Sequence, residues 1–361
     1  MENKLADLFA LWGYQEVLTP TFEYYKSLTD RDSGLNEDML YKFIDRNGKV
    51  LSLRPDMTTP IARMVSSRMR EAALPLRLFY LANVFRYEKT HAGRQREFFQ
   101  AGVELMGASG PKADAEVLGM AIFALEELGV KNFRIGIGQV EVTKALLGTL
   151  DQAVGFAVKQ AIARKDFVEL EALLTDKLPV KERDVLMEMA MSRGDLKDLE
   201  QLMNLVGNTK ARDALSDLVE VFRILDYQGL SQKVFFDLGI FRDLNYYTGI
   251  VFEGYVQELG FPICGGGRYD NLLEGFGYPL PATGFALGIE RIMLASKQPK
   301  EDASKGYFLA GDYPNILDKA QSLRAQGQVV RVALESLTKE QAEEQATAQG
   351  MSLIYGGDNV E

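Results

Sequence analysis

The sequence predicts an α+β protein in three parts: a large domain over residues 1–295, an all-helical insertion within it over about 142–230, and a small α/β domain at 306–361. Three patterns carry this reading. Early strand-like runs meet across turn signals, as hairpins do. A long middle stretch shows only helical periodicity. The end of the chain alternates strand and helix.

Taken in order, "NKLADLFALWGY" has apolar residues at helical spacing (Leu5, Leu8, Phe9, Leu11, Trp12) and a stop at Gly13. "QEVLTPTFEYYKSL" reads as a strand broken at Pro20. "MLYKFIDRNGKVLSLRP" reads as a hairpin, its Asn47-Gly48 suiting a tight primed turn. "TTPIARMVSSRMREA" is a helix with Pro60 in its first turn. "PLRLFYLANVFRYE" and "REFFQAGVELMG" are strands around a polar loop, "KTHAGRQ". "KADAEVLGMAIFALEELGV" is an amphipathic helix ending at Gly129, and "NFRIGIG" is a strand. The insertion follows. Strands return at "KVFFDLGIF", "TGIVFEGYV" and "FPICGGG", and "ATGFALGIERIMLASK" passes from a glycine-interrupted strand into a helix. Residues 296–305 are charged and contain Pro299, as a linker would. A βαβαβ pattern closes the chain.

Composition narrows the function. Of 361 residues, 47% are hydrophobic and 25% charged, enough for a large core. The net charge of -10 argues against a broad basic face for nucleic acid. A single cysteine, Cys264, allows no intramolecular disulfide, which fits a reducing cytosol. One cysteine and one histidine, His91, cannot build a Cys/His zinc site, so no metal is expected. "MENKLADLFALWGYQE" has no signal-peptide core and no stretch reaches membrane-span length, so a cytoplasmic location is expected. "RIGIGQ" lacks the third glycine of a dinucleotide fingerprint, and His91 stands in a polar loop with no orienting pattern for a catalytic triad.

Four segments carry candidate chemistry. In "FRYEKTHAGRQREFFQAGVE", Arg86 and Glu88 alternate in phase with a strand. On the next strand Gln100 and Glu104 share a face around Gly102, and an amide with a carboxylate beside a glycine suits an ammonium or an imidazole. An ordinary solvated hairpin gives the same pattern. Asp56 and Thr58 stand before a helix, where backbone capping alone also favours them. In "RDLNYYTGIVFE", Arg242 is a planar fork for a carboxylate or phosphate. Tyr246 and Tyr247, on successive strand positions, would face opposite ways; an ion pair with Asp243 and core tyrosines is the plain alternative. In "GFALGIERIML", Gly284 and Gly288 leave room in front of Arg291, one turn into a helix.

The order of these segments carries a resemblance. "WGYQEVLTPTFE", "FRYE…GRQREFFQAGVE" and "GFALGIER" resemble motifs 1, 2 and 3 of class II aminoacyl-tRNA synthetases. "LRPDMT", "QAGVE", "RDLNYYTG" and "GGGRYD" resemble the histidine-pocket segments of histidyl-tRNA synthetase. The likeness spans about residues 5–295. It implies a mixed, mostly antiparallel sheet flanked by helices, a dimer formed through motif 1, and a histidine pocket of Asp56, Thr58, Arg86, Gln100, Glu104, Arg242, Tyr246 and Tyr247. Arg86, Glu88 and Arg291 would be the remnant of a nucleotide pocket.

The departures resemble a regulatory paralogue of that synthetase, the ATP phosphoribosyltransferase regulatory subunit family. The synthetase's Arg-Gly-Leu-Asp-Tyr-Tyr reads Arg242-Asp243-Leu244-Asn245-Tyr246-Tyr247 here. Asp243 would offset the arginine that stabilises adenylate formation. "LRPDMT" stands where the synthetase has a glutamate and a glycine. The 57 residues from Lys305 to Glu361 are fewer than an anticodon-binding domain, and from Ser296 onward seven Lys/Arg face ten Asp/Glu. Pointing the other way, the usual leader before motif 1 is not seen, as a truncated start would give. The resemblance implies a non-catalytic subunit without cofactors. Its partners would be the short-form catalytic subunit and L-histidine as effector, and tRNA is not expected. The alternative is an active histidyl-tRNA synthetase, because Arg86, Arg242 and Arg291 are all retained.

Overall fold

The computed structural model describes residues 1–29, 37–88, 95–148, 150–240, 246–296 and 306–356. They fall into two units, Met1–Ser296 and one beginning at Lys297. The polar loop with His91, residues 297–305 and Arg242 lie outside the described residues.

Helix α1 (Glu2–Leu11) buries Leu5 and Phe9. The segment around Pro20 is not one strand. Proline has no N–H to give a ladder, and the chain changes sheets there. Strand β1 (Gln15–Glu16) joins the main sheet, β2 (Phe22–Tyr24) joins a small one, and Tyr25–Thr29 is a short helix, α2, where strand was expected. The hairpin of β3 (Lys42–Ile44) and β4 (Val50–Leu53) forms, but not with a primed turn. Asp45 Oδ1 accepts from the N–H groups of Asn47 and Lys49 at 2.8 Å each. Gly48, at φ +76°, is the one position of the loop with positive φ. This is the three-residue type I loop with a left-handed glycine.

Helix α3 (Thr58–Arg68) leads to β5 (Leu76–Phe85) and β6 (Glu97–Met106), paired antiparallel over ten residues with Tyr80 opposite Gly102. Their two faces separate as alternation requires. Phe79, Ala101 and Val103 enter the main core beneath α4 (Pro111–Glu127), while Leu78, Tyr80, Ala82 and Val84 enter a second core with α3. Strand β7 (Phe133–Gln139) follows.

The insertion is helical: α5 (Val140–Leu147), α6 (Gln152–Arg164), α7 (Phe167–Leu174), α8 (Val180–Met191), α9 (Leu196–Leu205) and α10 (Thr209–Tyr227). Asp151, Asp166, Asp195 and Asn208 cap four of them by accepting from first-turn N–H groups. One two-residue strand, β8 (Arg193–Gly194), interrupts them. Helix α10 packs into the main core through Leu215, Leu218, Val221 and Phe222. Helices α6 to α8 close around a separate core that Leu147 of α5 joins, with Val158, Ile162, Leu170, Leu174 and Leu186 at its centre, while Met189 of α8 packs into the main core.

Strands β9 (Val234–Asp237), β10 (Ile250–Val256), β11 (Cys264–Arg268) and β12 (Ala282–Gly288) complete the sheet, and α11 (Ile289–Ala295) ends the unit. The order is β1-β5-β6-β12-β11-β10-β7-β9-β8. Only β1–β5 and β7–β9 are parallel. This is a class II synthetase-like sheet, mixed and mostly antiparallel. Its centre, where β6, β12 and β11 meet, is where the candidate residues collect.

The second unit is a small α/β domain. Strands β13 (Tyr307–Ala310), β14 (Val330–Val332) and β15 (Ser352–Tyr355) alternate with α12 (Tyr313–Ala325) and α13 (Lys339–Ala348). The sheet is parallel in the order β14-β13-β15, with one apolar cluster around Leu309 and Ile316 and another around Phe308 and Ala342.

Candidate ligand-binding site

Seven of the eight candidate pocket residues line one cavity of about 40 Å³: Asp56, Thr58, Arg86, Gln100, Glu104, Tyr246 and Tyr247. The eighth, Arg242, falls outside the described residues. Glycines make the space. A Cβ at Gly284 would lie 2.1 Å from Glu104 Oε2, and one at Gly102 would lie 2.5 Å from the Tyr80 hydroxyl. Side chains from β6 and β5 thus occupy volume that any other residue would fill.

Glu104 sits at the bottom of the cavity, 1% exposed. Its Oε1 accepts from Thr58 Oγ1 at 2.7 Å, and its Oε2 accepts from the Tyr269 hydroxyl. Burial pushes its carboxyl up to about 8, and the nearby Asp56 adds to the rise; the Tyr269 and Thr58 hydrogen bonds oppose it. Asp56 is also raised, mainly by burial. It does part of a cap's work, since its Oδ1 accepts from Thr59 N at 3.0 Å. Its Oδ2 is buried without a hydrogen-bond partner among the described residues, as is Gln100 Oε1. Thr58 is the first residue of α3 and points its hydroxyl to Glu104 rather than to a helix N–H.

The tyrosines form the opposite wall. Tyr246 and Tyr247 were expected to face opposite ways on a strand. Both precede β10, which begins at Ile250, so strand alternation does not govern them. Both rings are buried, 4.8 Å apart, and border the cavity, and Tyr246 meets Tyr269 edge-on at 5.6 Å. The Tyr80 and Tyr269 hydroxyls are held well above their ordinary range by burial. Tyr80 had no role in the sequence reading, and Tyr269 entered it only within the pocket-like segment "GGGRYD". Tyr80 was findable as the residue that pairs with Gly102, and Tyr269 stands in "GGGRYD" beside a buried ion pair, Arg268–Asp114 at 2.8 Å.

Arg86, Glu88 and Arg291 line an adjoining cleft of about 170 Å³. Arg86 and Glu88 lie beyond the end of β5 at Phe85, so strand phase is not what aligns them. Arg86 is held by its Nε donating to Pro55 O at 2.9 Å and by the Phe98 ring beneath its guanidinium at 5.4 Å. Arg291 donates to Pro262 O at 2.8 Å and stacks on Phe261 at 5.2 Å. Glu290 Oε1 accepts from Phe99 N at 2.8 Å and ties α11 to β6. Arg86, Gln100, Gly265 and Ala286 border both spaces. Among the described residues no group of three metal-ligating side chains occurs.

Chemically, the cavity offers acceptors. A buried carboxylate oxygen, an amide oxygen and a second carboxyl converge between aromatic walls. That arrangement suits a small ligand rich in N–H donors.

This fold and site define a histidyl-tRNA synthetase-like protein, and the histidyl-tRNA synthetase family model matches residues 1–292. An ATP phosphoribosyltransferase regulatory subunit of Moorella thermoacetica is 47% identical, the match covering 99% of this chain and 93% of that one. One of Desulforamulus reducens is 42% identical over 98% of this chain and 90% of its own length. The crystal structure of an ATP phosphoribosyltransferase regulatory subunit/histidyl-tRNA synthetase from Bacillus halodurans C matches with a TM-score of 0.87 at 32% identity, covering 99% and 93% of the two chains. The chain belongs to the ATP phosphoribosyltransferase regulatory subunit family. Histidyl-tRNA synthetase from Nostoc sp. PCC 7120, at 21% identity and a TM-score of 0.80, shares the fold.

Proposed function

We propose that this chain partners a short-form ATP phosphoribosyltransferase catalytic subunit, activates it, and carries histidine feedback on the first step of histidine biosynthesis. The observation that carries this reading is the convergence of Asp56 Oδ2, Gln100 Oε1 and Glu104 in one buried, tyrosine-walled cavity. L-Histidine brings an α-ammonium and an imidazole N–H to such acceptors. Arg242, by resemblance, takes its carboxylate. The site binds and does no chemistry: Asp243 and Asn245 stand where the synthetase pattern has glycine and aspartate.

Two further parts belong to the proposal. The homodimer forms through the motif 1 segment, where Leu18, Phe22 and Tyr24 are exposed. The complex works in the cytoplasm; no helix among the described residues is long and apolar enough to cross a membrane.

The test is co-purification with the short catalytic subunit of the same organism, followed by activity assays with and without histidine. Activation that histidine reverses is expected. Failure to form the complex would overturn the proposal. The retained Arg86 and Arg291 in the adjoining cleft favour one other reading, an active histidyl-tRNA synthetase. Histidine-dependent ATP–pyrophosphate exchange together with tRNA charging would establish it.

A further inference from the structure

The lobe of α6 to α8 has its own core, shared with Leu147 of α5, and Met189 of α8 reaches from it into the main core. It also meets the sheet at its edge strand. There β8 pairs with β9, Arg193 lying opposite Asp237. The Asp237 carboxylate is buried, 5% exposed. Its Oδ2 faces two cations, Arg193 Nη2 at 2.7 Å and Lys165 Nζ at 3.9 Å. These come from two places on the lobe: Lys165 follows α6 and Arg193 follows α8. Its Oδ1 accepts from Gly239 N at 3.0 Å.

The next described residues tie the lobe to the cluster that holds the pocket tyrosines. A Cβ at Gly239 would lie 3.4 Å from Ile162 Cγ2 and 3.8 Å from Ala190 O, so this point of the chain rests on the lobe. Ile240, one residue on, is buried in the same cluster as Tyr246 and Tyr247. It is wedged against β7, where a Cβ at Gly136 would lie 2.7 Å from Ile240 Cδ1 and one at Gly138 would lie 3.2 Å from Ile240 O. Four residues, Asp237 to Ile240, therefore lead from the lobe's cations into the buried cluster that also holds the pocket tyrosines.

We infer that Asp237 is a positioning residue that couples the α6–α8 lobe to the ligand pocket, so that what binds at one biases the other. A buried carboxylate separated from its cations is costly. Movement of the lobe therefore either is opposed or shifts residues 237–240, and through Ile240 disturbs the cluster that packs Tyr246 and Tyr247. The coupling is reciprocal: a partner that fixes the lobe changes ligand affinity by the factor with which the ligand changes partner affinity. The identity of the ligand rests on the histidine reading above; the coupling does not.

The experiment is hydrogen exchange on the full chain for the wild type, Arg193→Ala and Arg193→Lys. Without ligand, Arg193→Ala should speed exchange in peptides covering 246–256 at least about fivefold, the low end of ordinary coupling, and Arg193→Lys should restore most of it. Faster exchange confined to β8 and α6–α8, with 246–256 unchanged, would mark the ion pair as local and overturn the inference. With L-histidine, the wild type should gain protection in α6–α8 as well as at the pocket, and Arg193→Ala at the pocket alone. Protection at the wild-type pocket without any in the lobe also overturns the coupling. No protection anywhere would instead remove histidine as the ligand, and the ligand-free comparison would still decide the coupling.

Discussion

Glu104 carries the most information per residue. With its carboxyl pushed up to about 8, it is largely neutral in the empty pocket at pH 7. A cationic ligand selects the ionised form. Histidine binding should therefore release a proton and tighten between pH 6 and 8 by up to about tenfold per unit, falling again once the ligand's own amine titrates. Calorimetry in buffers of different ionisation enthalpy checks this, and Glu104→Gln should abolish the proton release. The same group affects stability with the opposite slope. A pKa raised on folding means the native state holds a proton that the unfolded state loses above about 4.5, so this contribution is complete at low pH and is lost as pH rises to about 8. Without ligand, the melting temperature should fall across that window, and less steeply in Glu104→Gln. Removing either charged partner, by Glu104→Ala or Arg242→Ala, should weaken histidine by about 2–3 kcal/mol, or tens- to a hundred-fold. Unchanged affinity in both variants would place the sensor elsewhere.

At the scale of elements, sequence legibility tracks how local the controlling physics is. Period-two alternation put Gln100, Gly102 and Glu104 on one face of β6, and the structure agrees, because both faces of that strand are buried and the register cannot slip. The capped insertion helices and the closing βαβαβ unit were legible for the same local reasons. Tyr246 and Tyr247 misled because alternation was extended past the end of β10. Asn47-Gly48 misled because the Asp45 side chain supplies hydrogen bonds that favour a wider loop. Tyr269 stood in a pocket-like segment, but its partner was not legible, because Glu104 is far away in sequence and only the order of β12 and β11 beside β6 brings them together. The element-scale prediction follows from that packing. Gly284→Ala puts a methyl at the Glu104 carboxylate, so it should lower stability by about 1–3 kcal/mol and lose ligand binding. Thermal melting and calorimetry on the same sample would show both, and a variant of wild-type stability and affinity would contradict the packing described for β12.

At the scale of the molecule, the acidic balance, net charge -10, predicts polar docking surfaces toward the proposed catalytic partner, so the association rate should fall as salt is raised. Stopped-flow mixing at increasing ionic strength would show it. A salt-independent rate would point to an apolar interface instead. The dimer prediction belongs here too. Phe22→Glu, at an exposed position on β2, should shift the chain toward monomer in sedimentation while leaving histidine binding intact.

The pairing of β6 with β12 has a consequence for how the protein is made. Glu104 and Gly284 are register partners, yet about 180 residues separate them, the whole helical insertion included. At ribosomal rates of roughly 5–20 residues per second, β6 waits on the order of ten seconds or more for its second neighbour. Through that interval the nascent chain presents one unsatisfied edge of an apolar hairpin, the kind of surface that recruits stray strands. The insertion, four of whose helices are capped by their own Asp or Asn side chains, can fold during the wait and shorten the effective loop. Newly made chains should therefore depend on chaperones until residue 288 has left the ribosome, and no pocket ligand can rescue them earlier, since the side of the cavity lined by Gly284, Phe285 and Ala286 is missing before β12 arrives.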